Sequence, residues 1–185
     1  MKNKKKFKNY LYKVKKLVIL MNIIIRKSSI EDLDNIYNLH NLCFSFNDRW
    51  YKNAISQYIN TSIVIEYNYN IIGILLQGDF IPIIGDEELI VVDAININNK
   101  NYRQNVYGIS MLCIHPDFRN KGLASKLIKN HIKLNENKED LYLCTRISNT
   151  NAISLYIKNG YKYLGNIKNK YYLPVEDGYL MIYNK

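Results

Sequence analysis

The sequence predicts an α/β fold, one domain in which helices pack on a central sheet with some parallel strand pairing. Three observations predict it. From residue 106 onward, short apolar runs alternate with helical patterns in the order strand, helix, strand, helix, which calls for crossover connections. The chain has 185 residues, 48% hydrophobic and 23% charged, enough for one sizeable core and too apolar for a disordered polymer. No internal repeat divides it.

The elements follow in order. Ile23, Ile24 and Ile25 form a short buried strand. Ser28 with Glu31 gives a capping-box signal, opening a helix whose Ile30, Leu33, Ile36 and Tyr37 share a face. Residues 43–50 are a loop and 51–59 a second short helix. Residues 62–67 and 71–76 read as a hairpin about Asn68-Tyr69-Asn70. Residues 79–105 are a long connection with some β character at 89–92, and connections this long are often functional. Residues 106–114 form a strand, 115–121 a turn, and 122–134 a helix with Leu123, Leu127 and Ile128 near one face. Residues 140–146 form a further strand. A helix over 149–158 ends at Gly160, which suits a left-handed C-terminal cap. Residues 161–164 and 179–183 are closing strands.

The net charge of +10 suggests nucleic acid or an anionic membrane. Its location changes that reading. Eight of the 26 basic residues and none of the 16 acidic ones lie in residues 1–21, so the rest of the chain is close to neutral. Residues 13–25 have a basic start and an apolar run, but Asn22 interrupts the run and no small-residue cleavage site follows. Residues 1–21 therefore read either as a disordered extension, with Met21 the initiator, or as an amphipathic basic helix. Phe7, Leu11, Val14, Val18 and Met21 recur at helical spacing with lysines between them, a pattern suited to an anionic membrane surface. No run approaches the roughly 20 apolar residues of a membrane-spanning helix. The three cysteines, Cys43, Cys113 and Cys144, lie among apolar neighbours, which fits a reducing compartment rather than a disulfide framework. No Cys/His cluster has zinc spacing, so no metal is expected.

The turn after the 106–114 strand carries the chemistry. Arg119-Asn120-Lys121-Gly122-Leu123-Ala124-Ser125 joins a strand end to a helix start. Unpaired backbone N–H groups and the helix dipole favour an anion there. Gly122 admits the anion to the backbone, Ala124 avoids crowding it, and Arg119 and Lys121 add positive charge. The spacing is neither that of a nucleotide P-loop nor of a dinucleotide fingerprint. Taken alone, the pattern is shared with ordinary basic helix starts. Downstream, Asn149, Ala152, Ile153, Tyr156 and Gly160-Tyr161 mark a second helix, with Ala152, Ile153, Tyr156 and Gly160 on one face.

Together the two elements resemble the GNAT superfamily of acetyl-CoA-dependent N-acetyltransferases, over roughly residues 22–185. The resemblance implies a mixed sheet of about seven strands flanked by about four helices, acetyl-CoA as co-substrate, and no metal. It implies that Arg119, Asn120, Lys121, Gly122, Leu123, Ala124 and Ser125 hold the pyrophosphate. Met111, Leu112 and Cys113 would contact the cofactor through the main chain, and Asn149 and Tyr156 would sit beside the pantetheine and the departing thiol. The Asn47-Asp48-Arg49-Trp50-Tyr51 segment after Phe44-Ser45-Phe46, the Tyr171-Tyr172 pair and Asp177-Gly178-Tyr179 are similar to the substrate-entry segments of protein N-terminal acetyltransferases of the NatE and NatF types. That narrower likeness implies protein N-termini retaining Met as substrates, with Phe46, Ile109, Tyr171 and Tyr172 at peptide-binding positions and Tyr107 as the catalytic tyrosine. It also implies a cytoplasmic enzyme, peripheral on a Golgi-type membrane if the NatF likeness holds. The basic extension would offer membrane or ribosome contact, without specific nucleic-acid recognition.

Two departures stand out. The family's Phe-Pro before the substrate loop is absent, and the position of its catalytic histidine holds Cys144. A thiol with a pKa of about 8.5 is a poorer base near neutrality than an imidazole at about 6.5. His40 and His131 lie in helices and His115 closes the cofactor strand, so all three read as structural. An α-amine, with a pKa of roughly 7.7–8.0, is partly neutral without help, whereas a lysine near 10.4 is not. The expected mechanism is direct transfer in a ternary complex. Tyr107 relays the amine proton through water and Tyr156 protonates the thiolate. Cys144 is either an acyl-accepting nucleophile or a small apolar replacement. Acetylation of lysine or a small amine, and a weakly active coenzyme A-binding auxiliary subunit, stand as the alternatives.

Overall fold

The computed structural model describes residues 2–82, 89–91, 104–172 and 174–184. The helices are α1 (Lys2–Met21), α2 (Leu33–Cys43), α3 (Lys52–Ser56), α4 (Leu123–Leu134) and α5 (Thr150–Lys158). The strands are β1 (Ile23–Lys27), β2 (Ile63–Tyr67), β3 (Asn70–Phe80), β4 (Leu89–Val91), β5 (Val106–Ile114), β6 (Asp140–Arg146), β7 (Lys162–Tyr172) and β8 (Val175–Asn184). They form one sheet in the order β1-β2-β3-β5-β6-β8-β7-β4. Among the described residues β5 and β6 are the parallel pair and the other pairs are antiparallel. Seven strands build the mixed α+β sheet that the resemblance implies. The three-residue β4 adds an eighth at the far edge, against β7. It comes from the long 79–105 connection, of which residues 83–88 and 92–103, including Val92 of the expected β segment, lie outside the described residues.

Each face of the sheet has its own core. Alternate side chains point to opposite faces, so Ile63, Ile65, Leu75 and Leu143 meet Leu123, Leu127 and Ile128 of α4 and Tyr156 of α5 on one face. Val64, Ile74, Leu76 and Met111 meet Ile36 and Leu39 of α2 and Ile55 of α3 on the other. One polar cluster within these layers is built from long-range partners. His131 on α4 bonds the Gln77 side chain of β3, and Asn135 joins both.

Several local expectations shift. The capping box lies one residue later than Ser28 and Glu31. The Ser29 backbone N–H donates to Asp32 Oδ2 at 2.9 Å, heading a 3-10 turn over Ile30–Asp32 before α2 begins. Ser28 instead donates its buried hydroxyl to the Ile59 carbonyl. That turn swings Ile30 off the apolar face, leaving it 57% exposed while Ile36 is fully buried. The β2–β3 hairpin turns at Asn68 and Tyr69, with φ of 48° and 63°, the pair of positive angles that a tight type I′ turn requires. The closing strands β7 and β8 run much longer than expected because each continues to pair with the other beyond the core.

Candidate active site

The parallel pair is short. β5 and β6 meet in register only at Gly108↔Tyr142 and Ile109↔Leu143, although both strands continue, to Ile114 and Arg146. Two features explain the brevity. At Gly108 the backbones nearly touch, since a Cβ there would lie 1.7 Å from the Tyr142 carbonyl oxygen. At Ser110 the strand bulges: Ile109 pairs with Gln77 and Met111 with Leu76, so Ser110 has no partner on β3. A bulge bends its strand, and here β5 parts from β6 just beyond it. The result is a wedge that opens toward the C-terminal ends of both strands.

Along that wedge Met111, Leu112 and Cys113 present a main-chain edge with no ladder pairing to β6. Their side chains turn into the two cores, so what they offer a ligand is backbone, which suits an extended, amide-bearing molecule. The Ser110 hydroxyl is buried there with no hydrogen-bond partner.

The β5–α4 turn sits at the open end. Gly122 caps α4 with φ +82°, and nothing lies within 4 Å of where its Cβ would be. Asn120 is also left-handed, at φ +61°. The first turn of α4 thus exposes its N–H groups toward open space, the arrangement that holds a phosphate. Arg119 Nε donates to the Ile114 carbonyl at 3.0 Å and the Lys121 ammonium lies 5.7 Å from the centre of the Phe118 ring, both ends remaining near the turn. Leu123 is buried and Ala124 packs partly against the core. Ser125 accepts from Asn159 Nδ2 at 3.1 Å, tying α4 to α5. A positive-φ glycine, open space above it and nearby basic side chains are features that suit a pyrophosphate.

Asn149 caps α5, its side chain accepting from the Ala152 N–H at 3.2 Å. At the other end the Tyr161 N–H bonds the Tyr156 carbonyl and the Gly160 N–H bonds the Ile157 carbonyl, with Gly160 at φ +94°. This is a Schellman cap, and the apolar contact that accompanies one is the Tyr156–Tyr161 ring pair, 5.8 Å apart. The cap therefore fixes Tyr156, which shares a cluster with Ile109 and Leu143 at the apex of the wedge. Burial pushes its phenol well above the ordinary tyrosine value.

Tyr107 and Cys144 do not converge. The in-register Gly108↔Tyr142 pair puts Tyr107 on one face of the sheet and Cys144, beside Tyr142, on the other. Tyr107 stands opposite Asp79 on β3, with Lys138 Nζ 4.0 Å from its ring centre. Burial, and the Asp79 charge after it, raise its pKa, so it is a neutral phenol. Cys144 packs against the cluster of Val106, Tyr142 and Leu180, with Phe80 and Ile182. Ile109, expected at a peptide-binding position, is only 3% exposed and belongs to the core. Phe46 is 84% exposed on the α2–α3 loop. Tyr171 and Tyr172 close β7, where their backbones pair with Glu176 and Val175, and their side chains lie outside the described residues.

Each histidine is engaged in a contact within the fold. His40 Nε2 accepts the Trp50 N–H at 3.2 Å, and burial lowers its pKa. Burial pushes His131 down to about 4, so it is neutral against Gln77. His115 Nδ1 accepts the Asp117 N–H at 3.3 Å.

One grouping had no signal in the sequence. Arg146, at the end of β6, donates to Asp48 Oδ1 at 2.8 Å and to Glu176 Oε2 at 3.3 Å. It also reaches the Pro174 carbonyl at 3.2 Å. It thus pins the α2–α3 loop to the start of β8 across the mouth of the wedge. Burial alone would raise the two carboxyls, but hydrogen bonds from Arg146 and Ser45 to Asp48, and from Ser148 and Arg146 to Glu176, hold both below the ordinary carboxylate range. The three residues are far apart in the chain, so no spacing announces them. Gly108 was not singled out either, although an isolated glycine inside a strand is a signal of close backbone approach.

The model of the acetyltransferase (GNAT) family matches residues 33–161. The chain is 37% identical over 73 residues to an N-alpha-acetyltransferase of Saccharolobus solfataricus, a match covering 38% of this chain and 43% of that protein. The match thus spans less than half the length of this curated relative. Its fold is similar to that of Arabidopsis thaliana NAA60 in complex with acetyl-CoA, with a TM-score of 0.70 at 19% identity, covering 88% of this chain and 99% of the other. It is also similar to the ribosomal-protein-S18-alanine N-acetyltransferase of Escherichia coli, with a TM-score of 0.66 at 18% identity over 88% and 93% of the two chains.

Proposed function

The chain belongs to the acetyltransferase (GNAT) family, and from that premise we propose that it acetylates the α-amino group of protein N-termini, Met-initiated ones first, using acetyl-CoA. The pyrophosphate would rest on Arg119–Ser125 and the extended arm along the free edge of β5 at Met111–Cys113. Acetyl-CoA supplies an activated acetyl group when bound. Backbone N–H groups of β5 orient and polarise the group held beside them. The Tyr156 phenol, kept protonated by its burial, stands at the apex to donate a hydrogen bond to a departing thiolate.

The observation that carries the choice of acceptor is that, among the described residues, the mouth holds no uncommitted base. Asp48 and Glu176 are committed to Arg146 and held ionised, Cys144 is in a packing cluster, and the histidines are engaged elsewhere. Such a site favours an amine that arrives neutral. At about pH 7.4 roughly a quarter of an α-amine is neutral, against about one part in a thousand of a lysine, a difference of about 3 kcal/mol. Tyr107, a neutral phenol at the closed end of the wedge, would pass the released proton on through water rather than accept it as phenolate. The likeness to an N-alpha-acetyltransferase supports the same acceptor class.

Turnover of acetyl-CoA with a peptide panel tests the reading. Peptides with a free α-amine and initial Met should react, and the same peptides with a blocked α-amine and an internal lysine should not. Preference for lysine would reverse the assignment, and coenzyme A binding without turnover on any peptide would make the chain an auxiliary subunit. Tyr107→Phe should lower kcat by roughly a hundredfold with coenzyme A affinity unchanged. An unaltered kcat would remove Tyr107 from the proton path.

A further inference from the structure

Helix α1 touches the acetyl-transfer site where Tyr12 meets the Asn120 carbonyl, and it carries a surface that this site does not use. Phe7, Tyr10, Leu11, Val14, Leu17 and Val18 recur every three or four residues and so share one face. All six are exposed, from 40% at Val14 to 64% at Tyr10. The helix meets the rest of the protein on a different side, where the Tyr12 hydroxyl donates to the Asn120 carbonyl at 3.3 Å and Ile19 is half-buried. The apolar stripe therefore points away from the body. The eight lysine positions of residues 1–21 fall on the rest of the circumference, with no acidic residue among them. An uncovered apolar stripe of this length marks an interaction surface.

We propose that α1 binds the surface of an anionic lipid bilayer, with the stripe at the boundary of headgroups and acyl chains and the lysines at the phosphate level. Both halves of the helix are then used at once, as lysine stems flanking an apolar face let the ammonium groups reach the headgroups. A nucleic acid would engage the lysines and leave six large apolar side chains in water. The helix lies on the surface rather than across it, because no described helix is long and apolar enough to span a membrane. Through Tyr12 and Asn120 it would hold the cofactor turn beside the bilayer.

The test uses the full chain in co-sedimentation with vesicles of phosphatidylcholine, alone or with about one-third phosphatidylserine. Binding should be at least roughly tenfold tighter to the anionic vesicles and weaken with salt. Phe7→Glu with Leu17→Glu should reduce it by roughly a hundredfold, about tenfold for each apolar side chain withdrawn, with thermal stability and peptide turnover unchanged. The proposal fails if anionic vesicles are not bound, or if the double variant binds them as well as the parent. It also fails if single-stranded RNA displaces the vesicles and binds both proteins equally, which would make the helix a nucleic-acid tail. Because the readout is partitioning, it is independent of whether the chain acetylates peptides.

Discussion

The turn that leads into α4 and the mouth pinned by Arg146 both border the β5–β6 wedge, and they are built by different means. The first is made of backbone: a glycine with positive φ, an exposed helix start, a strand edge without partners, and caps that hold α5 in place. The second is made of side chains from three distant segments. A backbone site depends on a few residue types at fixed local spacing. A side-chain site depends on partners brought together by the whole fold, and any of several residues could have supplied the same charge.

That difference decided what could be read from the chain alone. Gly122, Ala124, Asn149, Tyr156 and Gly160 are legible because each answers a local demand of conformation or helix periodicity. The strands Val106–Ile114 and Asp140–Arg146 are legible for the same reason, being short apolar runs bounded by turn residues. The ion cluster at the mouth was not, since Asp48 lies 98 residues from Arg146. Nor was the face on which Tyr107 lies, because a bulge and a register, not a pattern, set it. The capping box slipped by one residue because two serines stand together at 28 and 29 and only the fold chooses between them. The extension of β7 and β8 has no apolar pattern to mark it, because polar residues such as Lys168 and Asn169 interrupt the strand, and Asp177 satisfies both in the fold.

The largest effect is expected at Gly108. Gly108→Ala sets a Cβ against the Tyr142 carbonyl backbone, which cannot give way as a side chain can. Overpacking of this kind should cost about 3 kcal/mol or more and force the parallel pair apart. Thermal unfolding and coenzyme A binding should both be impaired. Wild-type stability in the variant would mean that close approach does not define the apex of the wedge.

Gly122→Ala should act on binding more than on folding. An alanine at positive φ costs about 1 kcal/mol, while its methyl group enters the space left open above the turn. Calorimetric titration should show coenzyme A affinity reduced by roughly tenfold or more. A smaller loss than the stability change alone would place the pyrophosphate elsewhere.

Arg146→Gln should leave the cofactor side intact and loosen the mouth. The KM for peptide should rise by roughly three- to tenfold, with coenzyme A affinity little changed. The pH dependence has a defined sign. Despite burial, Asp48 and Glu176 have folded-state pKa values depressed below those of the unfolded chain, Asp48 chiefly by Arg146 and Glu176 by Ser148 ahead of Arg146. The Arg146 pairing, felt most by Asp48, therefore stabilises fully above the ordinary carboxylate range, near pH 4–5, and is lost as pH falls through the folded values. The parent should therefore lose stability more steeply than the variant on acidification below about pH 5. Parallel acid-unfolding curves would show that the bridge contributes nothing to holding the two segments together.

Cys144 is expected to show the smallest effect, and it separates the two accounts of that position. If the thiol carried the acetyl group, Cys144→Ala would abolish turnover and the enzyme would follow ping-pong kinetics. The packing of Cys144 with Val106, Tyr142 and Leu180, on the face of the sheet opposite Tyr107, argues for the apolar account. Cys144→Ala removes one sulfur from a partly buried site, so it should cost about 1 kcal/mol of stability and change kcat less than about threefold. Initial-rate patterns in both proteins should intersect, as direct transfer in a ternary complex requires. Parallel lines in the parent, or a collapse of kcat in the variant, would restore the thiol to the chemistry and place the acceptor on the Cys144 face.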